Sequence, residues 1–207
     1  MIEIINSVFM TSAPHIRLSP ENPLQNEVAF MARSNTGKSS ILNTLTQRKS
    51  LAKVSSTPGK TRLINYFDVE FMDRDTGAKL EAKLVDLPGF GYAKVAKSLK
   101  TDWESNLTDF ITQRQQLRIF VHLIDARHPD LELDHSVSEY LEQICRKDQF
   151  ILNVFTKIDK LNQKELNELK KQFPDALMVS NTKKRGVDRV VAKIYELLTH
   201  VDTAHED

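Results

Sequence analysis

One stretch limits the folds open to this chain more than any other. Ala32-Arg33-Ser34-Asn35-Thr36-Gly37-Lys38-Ser39 runs out of the apolar Val28-Ala29-Phe30-Met31 and into the amphipathic Ser40-Ile41-Leu42-Asn43-Thr44-Leu45. A short buried strand, a glycine-containing loop and a helix in that order form a device for holding phosphate. The first N–H groups of the helix have no intrahelical partners, and the helix dipole favours negative charge at the same point. Lys38 is placed to reach the outer phosphates and the Ser39 hydroxyl to ligate Mg²⁺. The expected phosphate-binding residues are therefore Ala32, Arg33, Ser34, Asn35, Thr36, Gly37, Lys38, Ser39 and Ser40. The first glycine of the usual pattern is replaced by Ala32, a position that needs only extended backbone and so tolerates a methyl group.

With 207 residues, 40% of them hydrophobic, the chain suits one domain with modest additions. Val28–Met31, Arg118–Ile124, Phe150–Phe155 and Ala176–Val179 read as strands. Leu63–Met72 and Lys79–Val85 read as a hairpin around Asp73-Arg74-Asp75-Thr76-Gly77. Gly37–Thr46, Ser98–Gln115, Leu133–Cys145, Gln163–Phe173 and Val187–Leu198 read as helices. In the second of these, Trp103, Leu107, Phe110 and Ile111 share a core-facing side. Strands alternating with helices predict an α/β fold: a mostly parallel, doubly wound sheet of about six strands with one antiparallel edge strand and helices on both faces. Residues 1–24, punctuated by Pro14, Pro20 and Pro23, read as an extension packed on a nucleotide-binding domain spanning residues 25–200. Residues 201–207 form a polar C-terminal tail.

The lone cysteine, Cys145, excludes an internal disulfide framework and fits a reducing compartment, so a cytoplasmic location is expected. No apolar run reaches membrane-spanning length, and the first residues lack the features of a signal peptide. No membrane association is expected. None of His15, His122, His128, His135, His200 and His205 has metal-ligand spacing. The net charge of +1 conceals an asymmetry. From Val28 to Phe67 there is no Asp or Glu, while Arg33, Lys38, Arg48, Lys49, Lys53, Lys60 and Arg62 all fall in that window. Lys94, Lys97 and Lys100 follow, and such a basic flank suits a polyanionic partner. Lys183-Lys184-Arg185 is either a further anionic contact or a solvated turn.

A second motif selects the base. Thr156-Lys157-Ile158-Asp159 follows a buried strand and places a carboxylate where it accepts from the N1–H and exocyclic amine of guanine. Adenine has an acceptor at N1 and no 2-amino group, and it would leave Asp159 unpaired. Val179, Ser180 and Asn181, at the end of the last strand, are expected to support guanine O6 through backbone N–H. Two loops are expected to sense the γ-phosphate. Asp86-Leu87-Pro88-Gly89 carries an aspartate standing behind Mg²⁺ and a glycine N–H for the phosphate. Gly59, Lys60, Thr61, Arg62 and Leu63 carry Thr61 as the second hydroxyl ligand of Mg²⁺, in preference to Thr57 because Thr61 abuts the hairpin.

Asn35-Thr36-Gly37-Lys38-Ser39-Ser40, Thr57-Pro58-Gly59-Lys60-Thr61 with Asn65 beyond it, Asp86 to Val95, Asp125-Ala126-Arg127-His128 and Thr156–Asp159 together resemble the EngB (YihA/YsxC) family of bacterial GTPases. The match runs from about Asn26 to Leu198. The family's usual residues are replaced at Ala32 (glycine), Thr36 (valine) and Asn181 (serine), and none of these changes removes a ligand. The resemblance implies a translation-factor-type GTPase with a P-loop fold that binds GTP and GDP, uses Mg²⁺, acts on the large ribosomal subunit during its assembly and serves cell division and septation. A monomer is expected.

Phe90 stands where regulatory GTPases of the best-known type have a glutamine that orients the attacking water, and it cannot do that chemistry. Intrinsic hydrolysis is therefore expected to be slow, on the order of 10⁻⁴ to 10⁻² per second. A partner or a monovalent cation then completes catalysis. By resemblance, Asn35 is the candidate K⁺ ligand. The basic loop from Arg48 to Arg62, with Lys94, Lys97 and Lys100, is expected to dock on ribosomal RNA in the GTP state. A small-molecule kinase would not account for Asp159. A GTP-gated scaffold for a division protein, with negligible hydrolysis, is the alternative.

Overall fold

The computed structural model describes residues 1–24, 26–48, 63–90 and 107–202. Strand β1 spans Ile2–Ala13, β2 Glu27–Ala32, β3 Ile64–Asp73, β4 Lys79–Asp86, β5 Leu117–Asp125, β6 Phe150–Thr156 and β7 Leu177–Met178. Helix α1 is Lys38–Leu45, α2 covers 107–113 of the described residues, α3 is Glu132–Ile144, α4 Gln163–Gln172 and α5 Val187–Asp202. They build a seven-stranded sheet in the order β1-β3-β4-β2-β5-β6-β7.

All four pairings among β4, β2, β5, β6 and β7 are parallel, while β3 runs against both of its neighbours. The architecture is the expected α/β one, a mostly parallel sheet with helices on both faces, and two details differ. The sheet has seven strands rather than about six, and the reversed strand, β3, lies inside the sheet rather than at its edge. The added strand comes from the N-terminal residues. The Ile/Val/Phe-rich Ile2–Ala13 pairs along all of β3, with register shifts at Ile5 and Met10, and satisfies backbone groups that β3 would otherwise expose.

Strand β2 is buried along its whole length, and its alternation divides the core. Val28, Phe30 and Ala32 join α1 and α5 on one face through Ile41, Leu42, Val190 and Ile194. Ala29 and Met31 join the opposite face with Phe110 and Ile111 of α2 and Leu141 of α3. A third cluster seats α4 by Leu166 and Leu169 on Phe155 and Ile158. Chain order leaves β2 for β4 on one side and then returns to β5 on the other. The topological switch point therefore falls at the carboxyl end of β2, where open α/β sheets place their ligands. Among the described residues no helix is long and apolar enough to cross a membrane.

Candidate guanine-nucleotide site

Beyond Ala32 the chain turns sharply. Asn35 (φ 65°) and Gly37 (φ 104°) both occupy the left-handed region, which a side chain at residue 37 would strain. Gly37 caps α1 with no side chain, so the first N–H groups of the helix remain available to an anion. Ser39 and Ser40 lie half-buried in that first turn.

Lys38 reaches across to Asp86 at the end of β4 and forms an ion pair with Oδ1. The other carboxylate oxygen accepts from Asn65 Nδ2 at 3.3 Å, and Asn65 Oδ1 in turn accepts from Ser12 Oγ at 2.6 Å. A buried carboxylate thus sits beside Lys38 and is aimed by two strands. Downstream, Leu87 N–H donates to Phe30 C=O at 3.2 Å. Pro88 is buried, and Gly89 lies half-buried at the loop edge.

The base side is tied to this loop at two points. Thr156 Oγ1 donates to Thr36 C=O at 2.7 Å, with Thr156 fully buried, and Lys157 Nζ donates to Asn35 C=O. Lys157 takes the left-handed conformation (φ 60°), which swings its stem over the loop, and its ammonium also pairs with Asp125 at 2.9 Å. Burial pushes the Asp125 carboxyl up, but hydrogen bonds from Arg127 and Lys157 outweigh it and hold the group well below the usual carboxylate range. Arg127 donates Nε to Oδ1 at 3.0 Å and Nη2 to Oδ2 at 2.7 Å.

Asp159 presents its carboxylate at the start of a short 3₁₀ turn, with Oδ1 accepting from Ser180 Oγ at 2.6 Å. That hydroxyl, with Thr182 assisting against a smaller effect of burial, lowers the Asp159 pKa and keeps the group ionised and able to accept hydrogen bonds. Asn181 Nδ2 lies 3.7 Å from the point a Cβ on Gly37 would occupy, so base-side and phosphate-side loops touch. Its Oδ1 is buried without a protein partner among the described residues. Gly186 is required behind this loop, because any Cβ there would fall 2.2 Å from Met178 C=O.

Two site expectations change. Val179 N–H donates to Phe155 C=O at 2.8 Å and Ser180 N–H to Arg185 C=O at 3.0 Å, so neither is open to a guanine O6. Ser180 contributes its hydroxyl instead. Only the backbone of Arg33 belongs to the phosphate loop, because its guanidinium leaves for Asp134 on α3, with Nε 2.9 Å from Oδ2. Leu63 is exposed just ahead of β3. Gly59, Lys60, Thr61 and Arg62 lie outside the described residues, as do Thr57, Trp103, Lys94, Lys97, Lys100 and the part of the basic loop beyond Arg48. The sequence had not assigned roles to Asn65, Asp125 and Asp134. Asp125 carried a usable signal, since a carboxylate ending a buried strand at the switch edge of the sheet faces the ligand side.

A phosphate loop at the switch point, a lysine–aspartate pair between the start of α1 and the end of β4, and a hydroxyl-steadied aspartate after β6 define a P-loop GTPase. The family model for "50S ribosome-binding GTPase" matches residues 27–157. A relative in Aliarcobacter butzleri called "Probable GTP-binding protein EngB" is 56% identical over 192 residues, covering 92% of this chain and 96% of its own. Counterparts with the same name are 47% identical in Campylobacter lari (92% and 94% covered) and 50% identical in Campylobacter jejuni (89% and 92% covered). The chain belongs to the EngB family of GTP-binding proteins. In fold it is similar to a crystal structure of an engB protein (TM-score 0.62, 20% identical, covering 84% of this chain and 99% of that one). It is also similar in fold to Aquifex aeolicus Era bound to GDP·AlF₄⁻ (TM-score 0.62, 20% identical, 83% and 56% covered).

Proposed function

We propose that this chain is a slow, Mg²⁺-dependent GTP hydrolase that docks on the large ribosomal subunit in its GTP state during subunit assembly, acts as a cytoplasmic monomer, and so supports cell division and septation. The observation that carries the reading is the pairing of Lys38 with Asp86 beside an open helix N-terminus, with Asp159 poised on the base side of the same loop. Mg²⁺ fits the donors present. Ser39 would hold it with Asp86 behind, and hard oxygens of this kind, completed by phosphates and water, are what the ion prefers. Thr61 is the proposed second hydroxyl. When bound, the ion neutralises charge developing on the phosphate oxygens.

The protein's own residues supply the rest of the chemistry. Lys38 screens the outer phosphates, the Gly37–Ser40 backbone binds their oxygens, Gly89 N–H meets the γ-phosphate, and Asp159 with Asn181 fixes the base. Phe90 orients no water, which supports slow turnover and completion by a partner or by K⁺ near Asn35. The ribosomal part of the reading is supported by the description of the matching family as ribosome-binding and by the acid-free basic window. Co-sedimentation tests it. Large subunits should carry the chain down with a GTP analogue and much less with GDP, and rising salt should release it. Sedimentation indifferent to both nucleotide and salt would defeat the docking reading.

A further inference from the structure

Helix α3 contains a buried charge that the nucleotide site does not use. Asp134, Ser138 and Leu141 share one inward face at helical spacing, and Asp134 is 2% exposed there. A carboxylate in that position is costly unless paired, and its partner is Arg33 of the phosphate loop. Beneath both lies His122 of β5, which is fully buried. Its Nδ1 is 3.2 Å from Ser138 Oγ, and its Nε2 is 3.8 Å from Asp134 Oδ1, just beyond hydrogen-bond length.

Phe90 closes the arrangement. Its ring lies 6.0 Å from the His122 ring, centroid to centroid, and its backbone brackets Arg33 on both sides. Phe90 N–H donates to Ala32 C=O at 3.0 Å, and Phe90 C=O accepts from Ser34 N–H at 3.3 Å. Residues 32–34 are thus gripped through the main chain by the segment following Gly89 and through the Arg33 guanidinium by α3.

We propose that Arg33 is a positioning residue for GTP turnover: with Asp134 and His122 it locks residues 32–34 and Phe90 into one unit, which sets the spacing between the phosphate loop and the Asp86–Gly89 loop. The inference rests on the reading of this site as a GTP hydrolase. GDP offers nothing to Gly89, so its binding needs the phosphate loop and the base side but no fixed distance to the Asp86–Gly89 loop. Turnover of GTP needs the two loops at one distance.

The test is steady-state GTP hydrolysis and GDP affinity for the full chain and for Asp134→Asn, Arg33→Gln and their double variant. Each single change should lower kcat about tenfold with KM and GDP affinity altered less than about threefold, and the double variant should be no worse than either single, as for residues acting as a unit. Arg33→Met with Asp134→Leu replaces the pair by apolar groups and should regain any thermal stability the singles lose without regaining kcat. Unchanged kcat per folded molecule, equal loss in kcat and GDP affinity, or additive singles would each overturn the proposal. An unmodified chain that fails to hydrolyse GTP would instead defeat the hydrolase reading beneath it.

Discussion

The two ends of the central strands both bury charge, and they do so differently. At the amino end, Glu27 is fully buried and receives Arg114 twice, Nη2 at 2.6 Å and Nε at 2.9 Å, with Asn22 Nδ2 adding a third bond at 3.1 Å. Arg114 also donates to Pro20 C=O at 2.7 Å and stacks over the Tyr66 ring at 5.8 Å. Nearby, Arg118 pairs with Asp148, and Arg146 donates to the carbonyls of Gln115 and Leu117. These charges answer one another within the fold. At the carboxyl end, Lys38 on Asp86, Lys157 on Asp125 and Ser180 on Asp159 border a helix terminus with open N–H groups. There the charge lines the proposed nucleotide site. Charge at one end fastens the N-terminal extension and α2 to the sheet, and charge at the other borders the proposed nucleotide site.

The largest effect is expected from removing one partner at the closed end. Glu27→Ala leaves Arg114 buried without its counter-ion, a change that costs about 3–5 kcal/mol. For a chain of this size that lowers the melting temperature by about 10 °C. Nucleotide affinity measured on the folded fraction should be unchanged, since Glu27 lies at the opposite end of β2 from the phosphate loop. A melting temperature within about 2 °C of the unmodified chain would show that the amino-end network does not hold the fold.

The reciprocal change belongs at the open end. Asp159→Asn removes the carboxylate proposed to accept from guanine N–H groups and would leave the amide with one donor facing another. GTP and GDP affinity should fall about 10–100-fold, the scale of hydrogen bonds to a charged group. Xanthine nucleotides, which present an acceptor where guanine presents its amine, should gain correspondingly. Melting without nucleotide should move little, because what Asp159 loses among the described residues is the Ser180 hydroxyl, a weaker Thr182 contact and Lys160 at 3.7 Å. Competition binding with GTP, ATP and a xanthine nucleotide measures this, and undiminished preference for guanine would remove Asp159 from the base contact.

How far the sequence was legible follows the same division. The carboxyl-end residues come in contiguous motifs whose spacing reflects local chemistry, so Lys38, Asp86 and Asp159 could be named from the chain alone. The strand and helix pattern was equally local, and among the described residues the elements it named differ from the observed ones mainly at their ends. Residues 98–106 of the expected second helix lie outside the described residues. What stayed illegible depends on distant partners. The place of Ile2–Ala13 as an edge strand depends on pairing with residues some sixty positions away. Arg33 looked like a phosphate ligand because nothing near it announces Asp134, 101 residues downstream. The base-side N–H groups were misassigned for the same reason, since only the fold shows Val179 and Ser180 already bonded to Phe155 and Arg185.

Asp125 lies between the two behaviours, and the smallest effect is expected there. It belongs to the ligand end yet is paired as tightly as Glu27, holding Lys157 over the phosphate loop while Arg127 forks onto it. Its carboxyl titrates below the ordinary value in the fold, so it stabilises the folded chain at any pH above the unfolded carboxylate range. That stability is lost only as the pH falls toward the lower, folded value. Asp125→Asn should therefore cost about 1–2 kcal/mol at neutral pH, or a few degrees of melting temperature. The gap between the variant and the unmodified chain should stay constant from pH 8 to about pH 5 and narrow below about pH 4, where the unfolded carboxylate binds its proton. Melting curves of both proteins across that range read it directly. A gap that widened on acidification would mean that burial, rather than Lys157 and Arg127, governs the group, and Asp125 would then have no claim to positioning the lysine.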